Sequence, residues 1–158
     1  MLIKASEAIA HLRLDSDYPV EQVQPYIDAA VSYVQAHLNR NVYPDQQQLD
    51  DARNAAIDAA VAADTAYSET LDEAGEIESA QERSLKKQAA RQRLEDAKRE
   101  ANRAIHGMVI NGTIKGAMLL TLGNLFENRE SAVVGATVAE LPQGVPALLR
   151  PFRLVQMP

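Results

Sequence analysis

Histidines and paired carboxylates are the side chains of this sequence best suited to metal binding or acid–base chemistry. His11, His37 and His106 belong to three different predicted helices, and none has a second histidine or a carboxylate at ligand spacing on the same face. This placement favours solvent-exposed or helix-terminal histidines over a metal site. The carboxylate pairs at 50–51 and 72–73 could share a proton only inside a shaped cavity, and their alanine-rich surroundings predict an exposed helix face instead.

The other motifs that carry chemistry do not occur in the sequence. There is no cysteine, which excludes disulfides, thiolate metal ligands and cysteine nucleophiles. A glycine-rich phosphate loop, a nucleophile elbow and a dinucleotide-binding fingerprint are also missing. We therefore expect no enzyme activity, no cofactor and no bound metal.

The charge of the chain argues against general attraction to nucleic acid. Its 16 basic and 22 acidic residues give a net charge of −6. The basic residues between 83 and 103 alternate with acidic ones and have no aromatic neighbours for base stacking, so they predict a salt-bridged helix surface rather than a nucleic-acid contact. No apolar run approaches the roughly 18 residues that span a bilayer, and residues 1–7 do not resemble a signal peptide, so an intracellular protein is expected.

The 158 residues separate by composition into a body and a segment between its two parts. Residues 45–106 hold 15 of the 26 alanines but only one of the seven aromatic residues, Tyr67. We predict a mainly α fold. Residues 1–44 and 108–158 form a small helical bundle, the body, and residues 45–107 form a long inserted helical hairpin.

Two alanine seams predict how the hairpin packs. Apolar residues recur at steps of three and four at positions 49, 52, 56, 59, 63 and 66, and again from 90 to 108. The pattern predicts two antiparallel helices separated by a break around residues 66–75, where Thr70 and Glu73 could form a capping box. The first arm is strongly acidic and the second is rich in basic residues, so the arms should attract each other. Exchange of helices between chains is the less favoured alternative.

The body is predicted to contain three main helices. Ser6 should cap a short first helix. Residues 21–38 form an amphipathic second helix, which Asn39 ends. Asn111 should cap a third helix over 112–126, and this helix is apolar almost all round, so we expect it to be central and buried.

An apolar, β-branched segment, residues 131–141, follows the third helix and a charged block at 127–130. It predicts an extended C-terminal arm or a short β-hairpin, and a last short helix over 147–150 should follow between Pro146 and Pro151. Because a small body cannot bury such an arm, we expect it to dock on a neighbour, and head-to-tail contact between copies would give a ring or a filament. The predicted interface residues are Glu127, Asn128, Arg129, Glu130, Val133, Val134, Val138, Leu141, Pro142, Phe152 and Arg153.

Two stretches of the body resemble the head–tail connector, or adaptor, proteins of long-tailed bacteriophages and prophages. Residues 114–153 contain the block Glu-Asn-Arg-Glu, followed by Leu-Pro-x-Gly-Val and Leu-Leu-x-Pro-aromatic-Arg. Residues 10–15, Ala-His-Leu-Arg-Leu-Asp, and the helix after them are similar to the start of the same family. The departures are Asn124 for His, Phe126 and Phe152 for Tyr, Pro146 for an acidic residue, and a hairpin longer than the compact members carry.

The resemblance implies a non-enzymatic virion component at the head–tail junction, made in the bacterial host cytoplasm. Such proteins form a ring of about twelve copies beneath the portal and extend the DNA channel. The implied partners are other copies of the chain, the portal protein, a downstream head-completion or tail protein, and double-stranded DNA that passes without sequence-specific binding. No membrane partner is expected. The family is also associated with DNA packaging. Because DNA must slide through the channel, a basic wall is not required and an acidic chain is compatible with this role.

Two further hypotheses follow from these residues. Arg129 could pair with a carboxylate of its own or an adjacent subunit and so fix the exit of the arm. The alternative function is a cytoplasmic helical or coiled-coil adaptor with no phage role, whose partner binds the 45–107 hairpin. Deleting the hairpin separates the two functions, because a connector should keep its folded body and ring whereas an adaptor should lose its partner.

Overall fold

The computed structural model describes residues 1–128 and 144–155, and this part of the chain is mainly α-helical, as predicted. Its elements are α1 (Ala5–His11), α2 (Val20–Leu38), β1 (Val42–Tyr43), α3 (Gln46–Gly75), α4 (Ala80–Ile105), β2 (Met108–Val109), α5 (Gly112–Glu127), α6 (Val145–Leu149) and a 3-10 helix (Arg150–Phe152). Two compact units are present: the body, Met1–Asp45 with Met108–Pro158, and the hairpin, Gln46–Gly107. No helix of the described residues is both long and apolar enough to cross a membrane.

The core of the body forms where α2 packs against α5, with α1 and α6 completing it. The apolar face of α2 recurs every three or four residues, as its amphipathic sequence predicts. Its buried residues are Val23, Ile27, Ala30, Val34 and Leu38. They meet the buried face of α5, which consists of Ile114, Ala117, Met118, Thr121 and Leu122.

Helix α5 is buried on one face only, so the prediction of a helix buried all round is wrong. Leu120 is 47% exposed and Leu125 is 37% exposed. Helix α5 contacts α1, α2 and α6. Leu120 lies on the face away from the buried residues, whereas Leu125 continues the line of Met118 and Leu122 at the end of the helix. A body of this size has too few elements to surround a central helix, although the helix is apolar enough to be surrounded.

A short parallel ladder joins the two parts of the body. Val42 pairs with Met108, and Tyr43 pairs with Val109. The ladder is extended by hydrogen bonds from Met108 N to Asn41 O (3.1 Å) and from Ile110 N to Tyr43 O (2.8 Å). Two residues per strand are too few for a recognisable alternation, so the sequence did not predict it. The ladder brings the points where the chain leaves and re-enters the body next to each other.

Helix ends in the body follow local capping chemistry, with one exception. Asn111 Oδ1 accepts a hydrogen bond from Ile114 N at 2.9 Å, which confirms the predicted cap of α5. Asn39 ends α2 in the left-handed conformation, with φ of 56°. The predicted cap at Ser6 is wrong: α1 begins at Ala5, and the carboxylate of Glu7 reaches back to Lys4 N at 3.1 Å.

The last helix differs in its limits from the prediction. Helix α6 begins at Val145 and ends at Leu149. Pro151, which was predicted to end the last helix, lies inside the 3-10 helix that follows it. Proline is tolerated in the first turn of a helix because its missing N–H has no partner there. The predicted arm, residues 131–141, lies outside the described residues.

The first arm of the hairpin, α3, is one continuous helix, so the predicted break at 66–75 is wrong. Hydroxyl groups in this stretch donate to the carbonyl oxygen four residues earlier and are satisfied inside the helix. These bonds are Thr65 to Val61, Ser68 to Asp64 and Thr70 to Ala66. The turn falls at residues 76–79, where Ser79 Oγ accepts from Glu82 N at 3.3 Å and caps α4.

The seam of the hairpin takes a slightly different path from the predicted heptads. Ala59 and Ala66 are exposed, and their neighbours Ala60 and Tyr67 are half-buried in their place. A straight helix has 3.6 residues per turn, so a strict repeat of 3.5 drifts out of the interface. The buried and half-buried positions of α3 along the seam are Leu49, Ala52, Ala56, Ala60, Ala63, Tyr67, Thr70 and Ala74.

Charged side chains connect the two arms as predicted. Lys86 Nζ lies 2.9 Å from Glu73 Oε2, and Lys98 Nζ lies 3.3 Å from Asp64 Oδ1. At the other end, Arg53 donates through Nε to Ile105 O at 3.0 Å. These contacts set the antiparallel register, although exposed ion pairs add little to stability.

Candidate assembly surface

The side chains that could have done chemistry are dispersed. His11 and His37 lie in the last turns of α1 and α2, and His106 is the C-cap of α4. All three are therefore helix-terminal. No group of three or more metal-binding side chains occurs among residues 1–128 and 144–155.

The predicted interface does not form a single surface in the described part of the chain. Glu127 and Asn128 lie at the end of α5, whereas Phe152 and Arg153 follow α6. The remaining predicted interface residues lie outside the described residues, and they stay predictions: Arg129, Glu130, Val133, Val134, Val138, Leu141 and Pro142. The contacts of α2 show that the two described pairs lie near its opposite ends.

At one end of the body, three aromatic rings hold the C-terminus of α5 against the start of α2. Phe126 packs edge-on against Tyr26, with ring centroids 5.3 Å apart, and against Tyr18 at 6.4 Å. Tyr18 Oη donates to Gln22 Oε1 at 2.9 Å, which orients its ring. Glu127 is therefore placed close to the first turns of α2.

An open cavity of about 340 Å³ lies on this end of the body. Its lining residues are Tyr18, Glu21, Gln22, Pro25 and Tyr26, and we call it the acidic groove. Asp15 and Asp17 precede Tyr18 in the loop before α2 and are exposed, as is Glu21. The groove thus combines aromatic walls with the Glu21 carboxylate, which suits a guanidinium or ammonium group.

At the other end of α2, the C-terminal segment is fixed by hydrogen bonds to the chain that follows the helix. Leu154 N donates to Leu38 O at 2.9 Å, and Asn39 Nδ2 donates to Leu154 O at 3.4 Å. The guanidinium of Arg40 donates to Phe152 O. The segment is therefore held in place by main-chain and side-chain contacts together.

This second end is basic, and we define the basic end by Arg40, Arg150 and Arg153. Burial lowers the pKa of Arg40, and its Nε is buried without a hydrogen-bond partner among the described residues. Arginine nevertheless stays charged at any physiological pH. Arg150 and Arg153 are exposed, and no carboxylate of the described chain lies within salt-bridge distance of either.

Sequence reasoning named Phe152 and Arg153 as interface residues, which stays a prediction, and it did not indicate the acidic groove. Tyr18 and Tyr26 are eight residues apart in sequence, and both meet Phe126 only through the fold. Such a long-range contact leaves no spacing pattern. The sequence offered one indication of an aromatic cluster in the body, because six of the seven aromatic residues lie there.

Four of the eight basic residues between 83 and 103 form ion pairs with nearby acidic groups, in agreement with the predicted salt-bridged surface. Arg99 and Arg103 pair with acidic residues three positions earlier, Asp96 and Glu100, and Lys86 and Lys98 pair across the hairpin. Arg83 donates to Ile77 O at 2.6 and 3.1 Å. These bonds occupy the cations that a nucleic-acid site would need to keep free.

A small helical body with an acidic groove and a basic end has the features of a protein that works by association. A family model described as phage gp6-like head-tail connector protein matches residues 3–92. The match covers more than half of the chain, and the chain belongs to this family. Comparison with curated proteins gives no significant match, and comparison with solved structures gives none either.

The matched range contains one of the two stretches that carried the resemblance, residues 10–15 with the helix after them, but not the other. It includes α1, α2 and α3 and extends into α4, so it covers much of the hairpin. Residues 114–153, which contain the Glu-Asn-Arg-Glu block, lie beyond it. Membership in the family supports a structural role as a phage connector and a place in the virion.

Proposed function

We propose that this chain is a non-enzymatic connector subunit that forms a ring beneath the portal of a phage head. The ring extends the DNA channel and joins the packaged head to a downstream head-completion or tail protein. The observation that carries the proposal is the family match over residues 3–92. From that match we infer the ring, the portal contact and the absence of catalysis.

The surfaces of the body support an assembly role. The acidic groove and the basic end lie near opposite ends of α2, so one copy can contact two neighbours through different surfaces. Contacts of this head-to-tail kind close into rings when the rotation between copies allows it. The predicted pairing of Arg129 with a carboxylate belongs to this proposal. If the Arg129→Ala variant forms rings as well as the wild type does, the predicted pairing is rejected.

The charge of the chain supports passage of DNA without tight binding. A net charge of −6 gives no general attraction to phosphates. DNA must move through the channel during packaging and ejection, and strong phosphate contacts would oppose that movement. We therefore propose that DNA is a passing partner and that no sequence is recognised.

Electron microscopy and native mass measurement of the purified chain, alone and mixed with portal rings, test the proposal. We expect closed rings of about a dozen subunits, formed alone or on the portal as template. A chain that remains monomeric in both samples, and does not bind the portal, would reject the proposed function. A bound partner that is retained only through the hairpin would favour the adaptor function.

A further inference from the structure

The body presents two surfaces of opposite charge. One is the acidic groove, with Glu21 and two tyrosine rings along an open cavity of about 340 Å³. The other is the basic end, where Arg150 and Arg153 are exposed. We infer that Arg150 and Arg153 of one copy bind in the acidic groove of the next copy. This inference rests on the proposed assembly of copies into a ring.

The chemistry of the two surfaces matches. A guanidinium stacks on tyrosine faces and forms ion pairs with carboxylates, and it loses less hydration energy than an ammonium group. The groove offers both features, because Tyr18 and Tyr26 line it beside Glu21. Asp17 adds a second exposed carboxylate next to Tyr18. A groove of this kind selects arginine over an aliphatic side chain.

The basic end is held in a defined geometry that suits binding. Leu154 N donates to Leu38 O, and Arg40 donates to the carbonyl oxygen of Phe152. Phe152 lies between Arg150 and Arg153 in the sequence. Arg150 and Arg153 therefore project from a short 3-10 turn that is tied down at its C-terminal side. Such prior ordering reduces the entropy that association must overcome.

The placement of the surfaces makes the contact intermolecular. Glu21 lies in the first turn of α2 and Leu38 lies in its last turn, a separation of about 25 Å along the helix axis. Arginine side chains cannot reach that far within one copy. The acidic groove of one copy and the basic end of another can meet, and repetition of the same contact gives a head-to-tail series.

A charge-exchange experiment with the full chain tests this contact. Two double variants reverse the charges: Arg150→Glu with Arg153→Glu, and separately Asp17→Arg with Glu21→Arg. Each should raise the protein concentration needed for ring assembly by about 30-fold or more. Combining all four substitutions restores opposite charges across the contact and should recover most of the assembly. The neutral pair Arg150→Gln and Arg153→Gln should give an intermediate loss, and circular dichroism should show native helix content for each variant.

Matched variants on the hairpin control for net charge. Lys87→Glu with Arg91→Glu changes the charge as the basic-end reversal does, and Asp51→Arg with Asp58→Arg matches the groove reversal. All four of these hairpin side chains are exposed, and both variants should form rings like the wild type. Equal loss of rings in the hairpin variants would overturn the inference, because net charge and not the contact would then control assembly.

The remaining outcomes separate this inference from the proposed function. Rings that form normally in the basic-end and groove variants would overturn the inference and leave the proposed function standing. Groove variants that form rings but no longer bind the portal would assign the groove to the portal and also overturn it. A wild-type chain without rings, alone or with portal, would reject both.

Discussion

The body and the hairpin are both helical, but they are stabilised in different ways. The largest fully buried side chains of the body are Ile3, Leu38, Ile114, Met118, Leu122 and Leu149. The buried cluster of the hairpin consists of Ala56, Ala101 and Ala104. Burying a large aliphatic side chain contributes about 1.5–3 kcal/mol, whereas alanine buries little area. The hairpin therefore depends more on helix propensity and on close approach of its helices.

The largest effect is expected in the body core. Leu122→Ala removes a fully buried side chain where α5 meets α2, and it should lower the free energy of unfolding by about 2–5 kcal/mol. Leu120→Ala on the same helix is the control, because Leu120 is 47% exposed and should change stability by about 0.5 kcal/mol. Chemical denaturation measures both, and similar effects of the two substitutions would mean that α5 is buried differently.

The stability of the hairpin should fall when a seam alanine is replaced by a larger side chain, whereas the stability of the body falls when a core side chain is shortened. Ala101 is only 6% exposed in the seam between α3 and α4, and Ala101→Leu should cost about 1–3 kcal/mol through overpacking. Ala62→Leu, on the exposed side of α3, is the matched control and should have almost no effect. Hydrogen exchange at hairpin amides reports the loss, and unchanged protection in Ala101→Leu would contradict close packing.

Helix capping allows a smaller comparison between the two units. Asn111 caps α5 with a bond of 2.9 Å, and Ser79 caps α4 with a bond of 3.3 Å at an exposed site. Substitution by alanine should cost about 1 kcal/mol at Asn111 and less at Ser79. Thermal unfolding of the two variants measures the order, and a larger loss for Ser79→Ala would contradict it.

The smallest effect concerns two exposed ion pairs, one in each unit. Hydrogen bonds from Lys115 and Lys86 lower the pKa of Glu7 and Glu73, respectively, below the ordinary value of 4.5. Because the folded pKa is the lower one, each pair stabilises the fold above pH 4.5 and loses this contribution as the pH falls through the folded pKa. NMR titration should show both depressions. Lys86→Met should remove the depression of the Glu73 pKa, and Lys115→Met should reduce that of the Glu7 pKa, where the hydrogen bond from Lys4 N remains. Unchanged carboxyl pKa values in these variants would reject the assignment.

Elements with long periodic patterns could be predicted, and contacts between distant residues could not. The apolar spacing of α2 and the cap at Asn111 depend on residues within a few positions of each other, and both were predicted correctly. The predicted break at 66–75 was wrong because the hydroxyl groups of Ser68 and Thr70 donate to carbonyl oxygens within the helix. Serine and threonine can also form turns, and residue type alone does not show which of the two they do.

The candidate site shows the same limit. Arg153 was expected at an interface, but its relation to Arg40 and Leu38 depends on the return of the C-terminal segment to the end of α2. The acidic groove depends on Phe126 meeting Tyr18 and Tyr26 across the body. Both surfaces arise from tertiary packing, which overrides what local sequence can indicate.

The central claim is that assembly depends on the body, and deletion of the hairpin tests it most directly. Val42 pairs with Met108, and paired residues of neighbouring strands lie about 5 Å apart. Because residue 45 follows Val42 by only three positions, a short glycine-serine linker can join it to Met108 and replace residues 46–107. Electron microscopy with portal rings should show the shortened chain forming the same ring as the full chain. A shortened chain that folds but forms no ring, and does not bind the portal, would contradict the account.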